Sequence, residues 1–381
     1  MNILCASDRN FLYPTYVFMG SVMENHEGIK VHFYLLAAED VTDEDKSALT
    51  AYITSKGHAI EYLNVDSSQF DGYVVHEKFP RSAYYRLMAH KYLPEDMDRI
   101  LYLDVDIVVD KNIYDDFYSL DFEGNYLIAT SHNPNPDYCN MLTSAIVNLE
   151  SAAKGEYFNS GVLLMNLCKF RENITLDDYN RAYAACEEAE MEIFYDQGLL
   201  NYMFYDKTKY ESSMDFNFRF SIPIQHQKRL DPDREYKKSI LHYTGMCQPY
   251  KPWDLMLEEE DIEKFGTVPF SSNYFYVSEE LNELLKRWWY YAEKTPIYEN
   301  VLAEMKIKQK WFRRNLLDFT LHHNGIVDAL SQNNKNVLTK TIYRDKGIYP
   351  DHFHWKAYRI GCIILAPYFF FKKLLKKVLK K

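Results

Sequence analysis

Short apolar runs alternate with helix-like stretches over the first 110 residues of the chain. The runs at residues 3–6, 31–36, 60–65 and 100–109 have the length and composition of buried strands. The stretches between them fit helices. The clearest starts at Thr42, an N-cap candidate with Asp45 three residues later, and residues 81–92 carry a second helical pattern. This order predicts an α/β fold with a Rossmann-like, mostly parallel sheet flanked by helices.

The pattern changes beyond about residue 265, where charged, aromatic-rich helical periods such as 279–293 and 309–319 replace the short apolar runs. We therefore expect three parts. An α/β domain spans residues 1–265, a helical C-terminal extension spans 266–355, and an apolar-then-basic tail spans 356–381.

The tail joins an apolar stretch of 11 residues, 361–371, to a segment with six lysines and no acid, 372–381. The apolar stretch is shorter than the roughly 20 residues that a membrane-spanning helix needs. Residues 363–381 instead predict an amphipathic helix that lies on an anionic membrane surface. A solvated basic end or an oligomer contact is the alternative, and no pattern indicates the oligomeric state.

Charge and cysteine content narrow the class of protein. The formal net charge of −11 argues against a nucleic-acid-binding protein, which needs a basic excess. The six cysteines include no CxxC pair, as expected for reduced thiols, and the first residues lack a basic leader. These features predict a cytoplasmic protein that is peripheral on the inner face of the cell membrane.

Polar residues follow several predicted strands, at the sheet edge where doubly wound proteins bind ligands. Asp104 and Asp106 are one residue apart, so in a regular strand both side chains would point the same way. Their oxygens suit a hard cation such as Mg²⁺ or Mn²⁺. His242 is a third candidate ligand. Two solvated acids and a core histidine are the structural alternative.

Further along, Gly245 permits a close approach of the backbone and Lys251 can reach a phosphate group. With His242 they form a plausible second half of a diphosphate site.

Six segments in this order resemble glycosyltransferase family 8. They are ASDRN (6–10), YYRL (84–87), LYLDVDIVV (101–109), YFNSGVLLMN (157–166), YDQGLLN (195–201), and HYTG (242–245) with KPW (251–253). The similarity spans roughly residues 1–255. Members of this family are retaining enzymes with the GT-A fold, and they include bacterial lipopolysaccharide galactosyl- and glucosyltransferases.

The resemblance implies a role for each matching position. It implies Mn²⁺ ligands at Asp104, Asp106 and His242, and a uridine and ribose loop at Ala6, Asp8 and Asn10. It places Arg86 near the donor sugar and phosphates, donor-sugar contacts at Asn159, Asp196 and Gln197, and diphosphate contacts at Gly245 and Lys251. Taken singly, Arg86 could be a surface residue, Asn159 a turn former and Asp196 a helix cap.

The resulting expectation is transfer of a hexose, galactose or glucose, from a UDP-sugar to a hydroxyl of a glycan or glycolipid in cell-surface polysaccharide or lipopolysaccharide synthesis. No residue is an evident nucleophile, so we expect a same-face attack with Gln197 beneath the sugar, and Asp196 as a transient nucleophile remains open. Two alternatives are a phosphohydrolase with Asp104 as phosphoryl acceptor and a non-catalytic carbohydrate-binding protein.

Overall fold

The computed structural model describes residues 1–74, 81–131, 157–188, 195–219, 234–244, 251–254, 256 and 279–309. The chain divides into two compact units. The first comprises Met1–Gly245 and Trp288–Val301, and the second comprises Met246–Arg287 and Leu302–Lys381. The predicted boundaries at residues 265 and 355, the predicted helical pattern beyond Gln309 and the tail at 356–381 lie outside the described residues.

A seven-stranded sheet forms the centre of the first unit, in the order β3-β2-β1-β4-β7-β6-β8. Strands β1, β2, β3 and β4 are parallel, β7 is antiparallel to β4 and β6, and β8 is parallel to β6. This confirms the predicted mostly parallel sheet. Its strands are β1 (Asn2–Ser7), β2 (His32–Ala37), β3 (Ala59–Leu63), β4 (Arg99–Leu103), β6 (Leu127–Ser131), β7 (Phe158–Asn166) and β8 (Thr208–Glu211).

The prediction of one continuous strand over residues 100–109 is wrong. The chain forms β4 and then β5 (Ile107–Val109), with a turn at 104–106 between them. Strand β5 belongs to a separate three-stranded sheet with β10 (Ile240–His242) and β9 (Phe218–Arg219). The backbone N–H of Asp104 still donates to Gly161 O of β7, whereas Asp106 O already accepts from Tyr243 N. The chain therefore changes sheets between the two aspartates.

Helices cover the sheets and begin largely where the sequence indicates. Thr42 and Asp45 form the predicted capping box, in which each side chain accepts a hydrogen bond from the other residue's backbone N–H. The pattern at 81–92 forms a 3-10 helix, Arg81–Lys91. The α-helices are α1 (Leu12–Asn25), α2 (Asp43–Ser55), α3 (Leu167–Asn173), α4 (Leu176–Glu188), α5 (Tyr195–Phe204), α6 (Ser213–Phe216) and α7 (Glu279–Ala292).

The segment Trp288–Val301 is part of the first unit although it lies late in the sequence. Tyr291 OH donates to Asp110 Oδ1 at 2.7 Å and accepts from Asn25 Nδ2 at 2.8 Å. Lys294 pairs with Glu24 at 2.5 Å, and Tyr291 is buried. Helix α7 confirms the helical pattern predicted at 279–293. Among the described residues, no helix is both long and apolar enough to cross a membrane.

Candidate functional site

Three of the predicted ligands meet where the two sheets adjoin. His242 Nε2 lies 3.1 Å from Asp106 Oδ1 and 3.7 Å from Asp104 Oδ2. One donor atom from each of the three residues lies within 4.8 Å of the others. The histidine is fully buried, while the side chains of Asp104 and Asp106 keep 27% and 14% of their surface exposed. The cluster is therefore open to solvent on its carboxylate side.

The two oxygens of Asp104 have different partners. Oδ1 accepts a hydrogen bond from Tyr102 OH at 2.8 Å and lies 3.2 Å from Arg86 Nη1. Oδ2 faces His242. Because one oxygen is held by two donors, the other has a fixed direction, as expected of a preorganised metal ligand.

Gly161 leaves the space that the cluster occupies. A Cβ atom at this position would lie 2.3 Å from His242 Cε1 and 2.6 Å from Asp104 Oδ2. These distances are far below van der Waals contact, so only glycine lets strand β7 pass this close to both side chains. Two carboxylates and an imidazole nitrogen around a residue without a side chain fit a divalent cation of the Mn²⁺ or Mg²⁺ type.

Arg86 is buried, which rules out the reading of it as a surface residue. Its exposure is 7%, and Nη1 donates to Ser160 O at 2.9 Å. Nε lies 3.3 Å from Asp196 Oδ2, and the guanidinium lies 4.1 Å from the centre of the Tyr102 ring. Arg86 thus joins Asp104 to Asp196 through one buried cation.

Asp196 is itself 5% exposed, in the first turn of α5. Burial raises the pKa of its carboxyl, and the charge of Arg86 opposes that rise. Arg86 is consequently the cation that opposes the effect of burial on the Asp196 carboxyl.

The Gln197 amide packs against strand β7. Gln197 Oε1 accepts hydrogen bonds from Asn159 Nδ2 at 2.9 Å and from Ser160 N at 3.1 Å. Its Nε2 donates to Tyr157 OH at 3.2 Å. Asn159 is buried at 7% exposure. The structure therefore brings Asn159, Asp196 and Gln197 together with Arg86 and the metal-ligand candidates.

The predicted nucleotide loop follows β1, the strand that pairs with β4. Asp8 caps a 3-10 helix, Arg9–Phe11, and its Oδ1 accepts from Phe11 N at 3.1 Å. Burial raises the pKa of Asp8, while its backbone hydrogen bonds oppose the rise. Ala6 is partly buried in β1 and Asn10 is exposed. Asp8 thus has a local structural role in addition to any contact with a ligand.

The structure does not test the predicted diphosphate contacts. Gly245 lies outside the described residues. Lys251 belongs to the second unit, where its Nζ lies 5.5 Å from the centre of the Trp253 ring. The roles of both residues stay predictions.

Sequence reasoning missed Asn217. Asn217 Oδ1 lies 2.8 Å from His242 Nδ1, and its Nδ2 donates to Asn159 Oδ1 at 3.0 Å. The available signal was a polar residue between two aromatic residues, Phe216 and Phe218. A buried amide of this kind needs partners and so marks a network.

The fold resembles that of a known class of enzymes. The solved structure of the galactosyltransferase LgtC, in complex with donor and acceptor sugar analogues, superposes with a TM-score of 0.55 at 24% identity. The match covers 75% of this chain and 96% of that one. The fold is therefore that of the GT-A glycosyltransferases.

The sequence identifies the family within that class. The family model for glycosyl transferase family 8 matches residues 2–256, more than half of the chain. The chain belongs to glycosyl transferase family 8, which confirms the resemblance of the six segments. Family membership favours a transferase over the phosphohydrolase and carbohydrate-binding alternatives.

Curated relatives agree with this assignment. A lipopolysaccharide 1,2-glucosyltransferase of Escherichia coli is 24% identical over 66% of this chain and 74% of that protein. A lipopolysaccharide 1,3-galactosyltransferase of Salmonella typhimurium is 23% identical over 66% of this chain and 73% of that protein.

Proposed function

We propose that the protein is a retaining hexosyltransferase that moves glucose or galactose from a UDP-sugar to a hydroxyl of a glycan or glycolipid. The observation that carries the proposal is the convergence of Asp104, Asp106 and His242 at the junction of the two sheets. The names of the relatives, which transfer glucose and galactose in lipopolysaccharide synthesis, support the sugar class and a cell-surface acceptor.

The three ligands favour Mn²⁺ over Mg²⁺. Magnesium prefers an octahedron of oxygen ligands, whereas this cluster contributes an imidazole nitrogen beside two carboxylates. A divalent cation bound here would offset the charge that develops on the departing nucleoside diphosphate. The protein itself contributes the fixed geometry of Asp104 and His242.

The remaining predicted contacts complete the proposed donor site. Ala6, Asp8 and Asn10 would bind the uridine and ribose after β1, and Asn159 would contact the donor sugar, with Arg86 near it. Gly245 and Lys251 would bind the diphosphate. Attachment to the inner face of the membrane through residues 363–381 belongs to the same proposal and rests on the lysines and apolar residues of the tail.

Retention at the anomeric carbon is best explained without a covalent protein intermediate. The Asp196 carboxylate is buried against Arg86, and an anion stabilised in this way is a poor nucleophile. Gln197 Oε1 is held by two donors from β7. We therefore assign Gln197 to positioning beneath the sugar. The acceptor hydroxyl attacks on the face that the diphosphate leaves, and the leaving phosphate takes the proton.

Release of UDP tests the proposal. The substrates are UDP-glucose and UDP-galactose with Mn²⁺, each with and without a glycan acceptor. We expect Asp104→Asn to abolish transfer and the response to Mn²⁺ together, because a metal ligand is lost. Asp206→Asn is the matched control, since Asp206 is exposed and remote from the cluster in the sequence. Full wild-type activity in the presence of a chelator would defeat the metal assignment.

A further inference from the structure

A row of hydrogen-bonded amide side chains leads from Gln197 to His242. Gln197, Asn159 and Asn217 are joined by hydrogen bonds of 2.9 and 3.0 Å, and Asn217 meets the imidazole at 2.8 Å. We propose that Asn217 is a positioning residue that fixes the tautomer of His242, so that Nε2 presents its lone pair to the metal. This inference rests on the metal site of the proposed function.

Two backbone N–H groups fix the orientation of the amide side chains in this row. The N–H of Gly161 donates to Asn159 Oδ1 at 3.1 Å, and the N–H of Ser160 donates to Gln197 Oε1 at 3.1 Å. A backbone N–H can only donate, so the atoms that face it must be the side-chain oxygens. The orientation of the Asn159 amide is thereby determined by the main chain of β7.

The orientation of the Asn159 amide determines that of the Asn217 amide. Because Asn159 Oδ1 is an acceptor, the atom of Asn217 that faces it must be Nδ2. The second hydrogen of Nδ2 reaches Thr130 Oγ1 at 3.0 Å. Asn217 Oδ1 therefore faces His242, and the imidazole Nδ1 must carry a hydrogen to donate to it.

A neutral imidazole with its hydrogen on Nδ1 has a lone pair on Nε2. That lone pair faces Asp106 Oδ1 and Asp104 Oδ2. Three electron-rich atoms that face one another repel unless a cation lies between them, and this is the arrangement that a metal needs.

Burial makes the opposite orientation of the Asn217 amide costly. Asn217 and His242 are both 0% exposed, so water cannot replace a lost partner. Turning the Asn217 amide over would set Nδ2 against the Nδ1–H group and Oδ1 against Asn159 Oδ1. Each buried polar group left without a partner costs about 1–3 kcal/mol. The network therefore holds one tautomer.

Two readouts test the role of Asn217. The first is the Mn²⁺ dissociation constant, measured from the electron paramagnetic resonance signal of free Mn²⁺. Asn217→Ala should weaken binding about 10- to 100-fold, as loss of a partner that orients a ligand usually does. Asn217→Asp should bind Mn²⁺ more tightly than Asn217→Ala, because a carboxylate also accepts from Nδ1–H.

Asn201→Ala is the matched control. Asn201 is equally buried and bonds only to the main chain of Phe158 and Gln197 among its described contacts. It should lower stability without weakening Mn²⁺ binding. Equal weakening by both alanine variants, or no weakening by Asn217→Ala, would overturn the inference.

The second readout needs no metal. Nitrogen-15 shifts of the histidine rings, with His242→Gln for assignment, should show a hydrogen on Nδ1 of His242 in the metal-free protein. A His242 ring whose Nδ1 carries no hydrogen would refute the inference. Failure of the wild type to bind Mn²⁺ would refute the metal assignment of the proposed function. The nitrogen-15 shifts would still determine the tautomer of His242.

Discussion

Gly161 is a position where the addition of one methyl group should disable the site. Gly161→Ala places a Cβ atom 2.3 Å from His242 Cε1 and 2.6 Å from Asp104 Oδ2. Ordinary contact begins near 3.4 Å, so one or both side chains must move by about 1 Å. Neither can do so freely, since Asn217 holds the imidazole and Tyr102 holds the carboxylate.

The size of the effect follows from this displacement. A shift of 1 Å in a reacting or ligating group commonly lowers the rate by about 100-fold. Overpacking of a buried position costs about 1–3 kcal/mol of folding stability. We therefore expect Gly161→Ala to fold, with a moderately lowered free energy of unfolding, and to lose at least about 100-fold in UDP release.

The assay combines three measurements on the same variant: Mn²⁺ affinity, the rate of UDP release and urea unfolding. Gly72→Ala is the matched control, because a Cβ atom there would meet nothing within 4 Å. It should leave all three unchanged. If Gly161→Ala keeps both the Mn²⁺ affinity and the rate of the wild type, the close approach of β7 is not required and the reasoning fails.

Two further predictions concern buried charges. Arg86→Ala leaves the carboxylates of Asp104 and Asp196 without their shared cation and should lower the free energy of unfolding by about 3–5 kcal/mol in urea; a loss under about 1 kcal/mol would contradict this role. Burial lowers the pKa of His90 to about 4. In the unfolded chain, His90 takes up a proton near its ordinary pKa of about 6.5. The stability that the neutral, buried ring contributes is therefore fully present above that pH and is lost as the pH falls towards 4. Between about pH 7.5 and 5, the free energy of unfolding measured in urea should fall by about 2 kcal/mol more in the wild type than in His90→Gln. Equal falls would refute the lowered pKa of His90.

Local sequence was sufficient where the determining interactions are local. The first three strands appear within one or two residues of the apolar runs that predict them. The capping box depends on residues only three positions apart, Thr42 and Asp45. The cluster of Asp104, Asp106 and His242 was also predicted, but from the residue types and the family resemblance and not from a local pattern, since His242 lies 136 residues from Asp106.

The break between β4 and β5 could not be read from the sequence in this way. Residues 100–109 form one apolar run because both strands are buried, and only their partners differ. The partner strands β7 and β10 are distant in sequence. No local residue marks the point at which one partner replaces the other.

Arg86 and Asn217 show the same limitation for the site. An arginine within a helical pattern is usually exposed, and Arg86 is buried only because Asp104 and Asp196 offset its charge. Asn217 meets Asn159, which is 58 residues away in the sequence. Such pairings depend on the three-dimensional fold, so the partners of each residue could be identified only from the structure.

The change of sheets at the two aspartates also has a consequence for how the protein folds. Asp106 and His242 are 136 residues apart, so their meeting closes a long loop of chain. Closing so long a loop costs conformational entropy and slows folding. A cation held there joins the small sheet to the large one and favours the folded state by mass action. The ion would thus stabilise the native topology as well as participate in transfer.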